Sequence, residues 1–201
     1  MPAINHLVTD NCSDLARFYD DEFNLCVWTP TPDSERETYA RLLAQENFQF
    51  KQVVSNQDPM AAFDSFPDGT GSAVTKEWIG ELIDIFATLF GLNQVGLRIS
   101  SVSKPMCPKF HADHIPARMV HALHGDGSEW VNDNLFESGE SNENYRELIK
   151  KFEIEDSKIE RAPAGSVALM KGTGWKDHIP PVIHRSPMHH EKRVVMTLDF
   201  T

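Results

Sequence analysis

The segment "TKEWIGELIDIFATLFGLNQ" constrains the fold more than any other stretch of this chain. Trp78, Ile79, Leu82, Ile83, Phe86, Leu89 and Phe90 recur at three- and four-residue spacing. That spacing predicts one helix with an apolar stripe too wide to face water, stopped at Gly91. A second layer must therefore cover it. From about residue 95 the pattern changes to short apolar runs broken by turn residues. These are "QVGLRISSVS", "ARMVHALHG", "DGSEWV", "SVALMKG", "PPVIHRSP" and "RVVMTLDF". "SVALMKG" is apolar without interruption, so both of its faces should be covered. Strands that need a cover and a helix that needs a sheet indicate an α+β chain, a jelly-roll barrel backed by helices. A plain β-sandwich is the alternative.

The first half reads as mainly helical. "SDLARFYDDEF" has Ser13 as its expected N-cap, and "DSERETYARLLAQENF" opens on Asp33 and Ser34 with Tyr39, Leu42 and Leu43 on one face. "NLCVWTP" reads as a short extended piece, and "NQDPMAAFDSFPDGTGS" as a loop. "SNENYRELIKKFEIEDSKIERAP" is a polar insertion, helical or looped. The expected organisation is a helical region over residues 1–94 packed on a jelly-roll core over 95–201, one compact domain in all.

Charge narrows the partners. A net charge of -11 over 201 residues argues against nucleic acid and against anionic membranes, since both need clustered Lys and Arg. No apolar run approaches the ~20 residues of a membrane span. The N-terminus has neither a basic n-region nor an apolar h-region. Cys12, Cys26 and Cys107 are odd in number and far apart, which fits a reduced, cytoplasmic setting and neither a disulfide framework nor a CxxC zinc pattern.

Histidines supply the chemical signal. Of nine in the chain, His111, His114, His121 and His124 fall in "KFHADHIPARMVHALHGDGSEWV" with Asp113 among them. His111 and Asp113 form H-x-D, and His184 lies far downstream. Two imidazoles and a carboxylate make a facial triad, which leaves three octahedral positions open and suits non-haem Fe(II). In "RVVMTLDF", Val194, Met196, Leu198 and Phe200 share one face, and Arg193, Val195, Thr197 and Asp199 the other. The first face should meet the helices. The second should put Arg193 inside the barrel, where a guanidinium fork is suited to a carboxylate.

In these pieces the chain resembles the Fe(II)/2-oxoglutarate-dependent dioxygenase superfamily, built on a double-stranded β-helix of the cupin type. "FHADH" resembles its H-x-D segment and "GDGSEWV" its Gly-rich turn. "APAGSVALMKG" resembles the turn before its buried strand, and "VIHRSPMHHEKRVVMTLDF" its distal histidine and co-substrate arginine. The resemblance spans roughly residues 95–201. It implies His111, Asp113 and His184 as metal ligands and catalytic centre, and Arg193 on the C5 carboxylate of 2-oxoglutarate. Relatives often carry Ser or Thr two positions after that arginine. Here Val195 stands there, and Thr197 is the substitute. With "NLCVW" and "CPKFH" included, the whole chain also resembles a bacterial family of unknown function, which supplies no activity.

The expected activity is an Fe(II)- and 2-oxoglutarate-dependent, hydroxylase-type oxygenase acting on a small-molecule or protein substrate that the residues do not name. Two alternatives stay open. One is a cupin-like protein holding zinc or nickel without turnover, with Cys107 or the extra histidines as ligands. The other is a catalytically silent jelly-roll interaction module. His121 and His124 should fall on opposite faces of one strand, so that at most one lines the cavity. His114 should face away from Asp113, and His189 and His190 should lie in a solvated turn. Trp130 and Trp175 are pocket wall or core.

Overall fold

The structure is a computed structural model that describes residues 5–132, 149–150, 154–176, 178–188 and 191–201. The helix expected from the apolar stripe is α2, Ser72–Phe90, closed by Gly91 at φ 64, whose N–H bonds back to Ala87. Trp78, Ile79, Leu82, Ile83 and Phe86 are buried. At ~1.5–3 kcal/mol per large apolar side chain, these contribute on the order of 10 kcal/mol, comparable with the net stability of a whole domain. Helix α1, Ser34–Gln45, starts as expected at Asp33, whose carboxylate accepts from Glu35 N and Arg36 N.

Both helices lie on a seven-stranded sheet in the order β1-β2-β8-β5-β10-β4-β3. Its strands are His6–Thr9 (β1), Leu25–Trp28 (β2), Gln49–Ser55 (β3), Gln94–Val102 (β4), Ala117–His124 (β5), Val167–Lys171 (β8) and Arg193–Asp199 (β10). Among the described residues, only the β1–β2 pair is parallel. A three-stranded sheet, ordered β7-β6-β9, comprises Glu129–Val131 (β6), Ile159–Arg161 (β7) and His184–Arg185 (β9).

The parity expected for β10 holds. Val194, Met196 and Leu198 pack into the helical core beside Ile79, Leu82 and Phe86. Val195 faces the other way, into a cluster where Leu25, Val27, Val120 and Met170 meet Trp130 of the second sheet and Ala162 and Val182 beside it. All five residues of β8 are buried, as a strand covered on both faces must be.

Several expectations need correction. The first half holds more strand than expected: besides the extended piece "NLCVW", which is β2, two further strands, β1 and β3, join the large sheet. β3 is an edge strand with Lys51, Gln52 and Val53 all exposed, which blurs the alternation that would have marked it. The N-terminal helix is a 3-10 turn over Cys12–Tyr19 capped by Asn11; Ser13 is the residue whose N–H that side chain accepts. Part of the polar insertion is strand β7, and its residues 141–148 and 151–153 lie outside the described residues. So do His189 and His190.

The face assignment of His121 and His124 also fails. The β5–β10 register shifts between Val194 and Val195, leaving Leu123 as an extra residue. This bulge rotates His124 back, and both histidines border one depression on the helical side, with Trp78 and Arg36.

Among the described residues, no helix is long and apolar enough to cross a membrane.

Candidate metal centre

The strand β4 ends at Val102, and the loop to β5 carries the H-x-D residues. His111 is tied to His184 by two backbone hydrogen bonds, N to O in each direction at 3.0 Å. The two imidazoles are therefore opposed across an antiparallel bridge, with ring centroids 4.5 Å apart. Beyond the bridge the chain leaves the sheet, and a second loop holds it. After β8, Thr173 N donates to Asp113 O and Gly174 N to Ile115 O, while Gly172 N donates to Pro116 O. A Cβ on Gly172 would lie 2.1 Å from Ile115 O and 2.7 Å from Asp113 O. Only glycine allows the two backbones to approach this closely, and that approach sets the position of Asp113.

The three side chains converge. His111 Nε2 lies 3.7 Å from Asp113 Oδ1, and His184 Nε2 lies 3.6 Å from Asp113 Oδ2. One donor atom from each lies within 4.8 Å of the others, and this is the metal-capable cluster among the described residues. Each ring has its Nδ1 on a backbone carbonyl, His111 on Lys109 O at 3.0 Å and His184 on Val182 O at 3.3 Å. A carbonyl can only accept, so Nδ1 carries the proton and the Nε2 lone pair faces the carboxylate. Ligands ~2.1 Å from one ion in cis positions are ~3 Å apart, so a modest inward movement would close the set. His184 is buried, and burial drives its pKa down to about 4, partly opposed by Asp113 and reinforced by His111. It is neutral at physiological pH, the form that binds metal.

Two residues not singled out from the sequence complete this arrangement. Arg118 Nη1 donates to Asp113 Oδ2 at 2.9 Å, while its Nε and Nη2 grip Asp199 at 2.6 and 3.1 Å. The fork of Arg118 on Asp199 thus presents a fixed donor to Asp113 and orients its carboxylate. Strand alternation was the available signal, since Asp199 sits on the same face of β10 as Arg193. The β5–β10 register, which places Asp199 opposite Arg118, is not written in either segment alone.

Arg193 faces the same cavity. It is buried, donates from Nε to Asp126 O at 2.7 Å, and keeps Nη2 buried with no partner among the described residues. Burial lowers its pKa to about 10, against the pull of Asp126, so it is still charged at neutral pH. Its stem runs against Gly125 at φ 82, where a Cβ would come within 2.7 Å of Arg193 Cγ. A buried charged donor without an acceptor is costly, and a carboxylate is the group that would satisfy it. The cavity, of about 130 Å³, is lined by His111, His184, Arg118, Arg193 and Thr197 among others. The donor set fits a divalent metal of the non-haem iron type, and the orphaned arginine nitrogen fits an acidic co-substrate across from it.

The remaining candidates lie elsewhere. His121 accepts from Trp78 Nε1 at 3.0 Å and has its other nitrogen on Ser166 O at 2.9 Å, a satisfied core histidine. His114 is exposed, with Nδ1 on Thr173 Oγ1. Cys107 is exposed at the cavity mouth and outside the donor cluster. Trp130 is buried between the sheets. Trp175 packs edge-on to Phe18 on the helical side.

Two solved dioxygenases share this fold. The rice dioxygenase for auxin oxidation superposes with a TM-score of 0.54 at 13% identity, over 98% of this chain and 82% of that one. The Arabidopsis thaliana dioxygenase for auxin oxidation 1, in its 2-oxoglutarate complex, gives 0.51 at 11% identity, over 98% and 91%. No curated protein matches the chain in sequence. The family model described as "Protein of unknown function (DUF1826)" matches residues 9–199, and the chain belongs to that family.

Proposed function

We propose that this protein is a non-haem Fe(II) oxygenase of the hydroxylase type that uses 2-oxoglutarate. The observation that carries the reading is one cavity lined by His111 and His184, whose imidazoles converge with Asp113, and by Arg193, whose Nη2 is buried with no partner among the described residues. The fold shared with 2-oxoglutarate dioxygenases supports it. In this reading the two sheets are the walls of a double-stranded β-helix. Residues 95–201 form its core, and the helices of 1–94 cover one wall.

His111, Asp113 and His184 would hold Fe(II) through two Nε2 atoms and one carboxylate oxygen. Iron when bound supplies activation of O₂ coupled to oxidative decarboxylation of 2-oxoglutarate to succinate. The chain's own residues do the rest. Arg118 holds Asp113 in its ligating orientation and offsets part of its charge. Arg193 receives the C5 carboxylate of 2-oxoglutarate, with the Thr197 hydroxyl beside it on the same strand face. Val120, Val195 and Trp130 exclude water from the inner wall, where a lower dielectric strengthens that ion pair.

The test is an anaerobic titration with Fe(II), then with 2-oxoglutarate. The expected result is one Fe(II) per chain and a visible charge-transfer band when the keto acid is added. Stoichiometric metal without the band would leave a zinc- or nickel-holding protein as the better reading. No stoichiometric metal would leave an interaction module.

A further inference from the structure

The cavity beside the metal donors measures about 130 Å³, below the ~300–1,000 Å³ usual for a ligand pocket. A metal and a co-substrate would fill it. A substrate would therefore rest at its mouth, and the mouth has a chemistry of its own. Arg98, on the cavity face of β4, lines the inner cavity and also two shallow depressions outside it, of about 360 and 430 Å³. Lys51 lines both depressions and stands directly opposite Arg98 in the β3–β4 register.

Both side chains are exposed, and neither has a hydrogen-bond or ion-pair partner among the described residues. The acid on this shelf, Asp199, already has both oxygens on Arg118. Like charges directly opposite on adjacent strands are destabilising. This chain has 30 acidic residues against 19 Lys and Arg, yet it leaves two cations facing each other with no acid between them. Apolar surface lies beside them, with Val53 59% and Met106 47% exposed on the same shelf.

From this we infer that the substrate is a small amphipathic acid, whose carboxylate or phosphate is held by Lys51 and Arg98 while its apolar body lies against Val53 and Met106 at the mouth of the metal cavity. The inference rests on the proposed Fe(II)/2-oxoglutarate site for its meaning as a substrate subsite. The anion site itself can be tested without metal.

Three probes suffice: 4-phenylbutyrate, phenyl phosphate and the neutral 4-phenylbutanamide. Each is titrated by NMR into the metal-free protein at constant ionic strength. Each is then titrated under nitrogen into protein loaded with Mn(II) and saturated with 2-oxoglutarate. At least one anion should bind about tenfold or more tightly than the amide, the scale of a charged hydrogen bond, and the stronger of the two names carboxylate or phosphate as the native group. The double variant Lys51→Gln/Arg98→Gln should bind the anions no better than the amide, with Mn(II) affinity unchanged. Bound Mn(II) should broaden the probe resonances, which places the probe beside the metal.

Equal binding of acid and amide, anion affinity surviving in the double variant, or binding with no Mn(II) broadening would each overturn the inference. A protein that binds the anions through Lys51 and Arg98 but never binds 2-oxoglutarate would instead sink the oxygenase reading and leave the anion site standing.

Discussion

His121 and His184 are both buried, both have Nδ1 on a backbone carbonyl, and both are driven by burial to a pKa of about 4. They differ in the second nitrogen. His121 lies on the helical face of the large sheet and has its Nε2 closed by Trp78. His184 lies on the cavity side with its Nε2 turned toward Asp113. The contrast extends to the two faces of the sheet. The helical face is sealed by α1 and α2 around Tyr39, Ile79, Leu82 and Phe86, all essentially inaccessible. The opposite face collects Arg98, Arg118, Arg193 and the two opposed imidazoles around a small cavity. One face supplies the stability that lets the other keep polar groups partly unsatisfied, as functional sites often do. Burial and a low pKa do not separate the two histidines; an open lone pair does, and it is the basis on which His184 is proposed as a ligand.

The largest expected effect breaks this contrast outright. His111→Ala, Asp113→Ala and His184→Ala should each abolish stoichiometric Fe(II) binding by equilibrium dialysis, with the fold retained by circular dichroism. His121→Gln should bind Fe(II) as the wild type does.

Next comes Arg193→Met, which keeps the apolar stem and removes the fork. Losing one side of a buried charge pair costs about 2–5 kcal/mol, so 2-oxoglutarate affinity should fall by roughly 30-fold to several thousandfold. Fe(II) affinity alone should barely change. Arg193→Lys should recover only part of the loss, because a point charge does not reproduce bidentate geometry.

Arg118 sharpens the comparison within the cavity face. Arg118→Gln removes the ion pair that orients Asp113, and partners of metal ligands typically contribute about 10–100-fold to metal affinity. Fe(II) affinity should drop by that range, well short of the loss in Asp113→Ala. Competition with a chelator of known affinity measures it.

Not all of this was legible in the chain. H-x-D, the distant histidine and the inward arginine could be read because each rests on local spacing or strand parity. The Asp113–Arg118–Asp199 chain could not, since it depends on which strands pair. Gly172 looked like the end of a strand; its role as the contact point for the Asp113 backbone exists only after two loops meet. β1 and β3 were missed because a four-residue strand and an edge strand with three consecutive exposed residues carry little alternation. The bulge at Leu123 defeated a parity argument that held on β10, because one extra residue reverses every side chain beyond it.

The smallest effect concerns pH and the helical face. His121 falls from 6.5 to about 4, chiefly by burial, with the bond to Ser166 O opposing and Arg36 adding. Protonation is disfavoured in the folded state, so the unfolded chain takes up the proton first as pH falls. The contribution is complete above about pH 6.5 and is lost as pH drops through 6.5 toward 4, on the order of 3 kcal/mol in all. Urea unfolding of metal-free protein at about pH 7 and pH 4.5 should show this loss, with a shallower dependence in His121→Gln, which has no proton to take up.

X-ray absorption at the iron edge of the anaerobic Fe(II) protein tests the central claim most directly, that the cavity face and not the helical face holds the metal. The expected spectrum has imidazole and oxygen ligands and no sulfur, unchanged in His121→Gln and with the imidazole signal reduced or the iron absent in His184→Gln. A sulfur scatterer near ~2.3 Å, or an imidazole signal lost in His121→Gln and kept in His184→Gln, would contradict it.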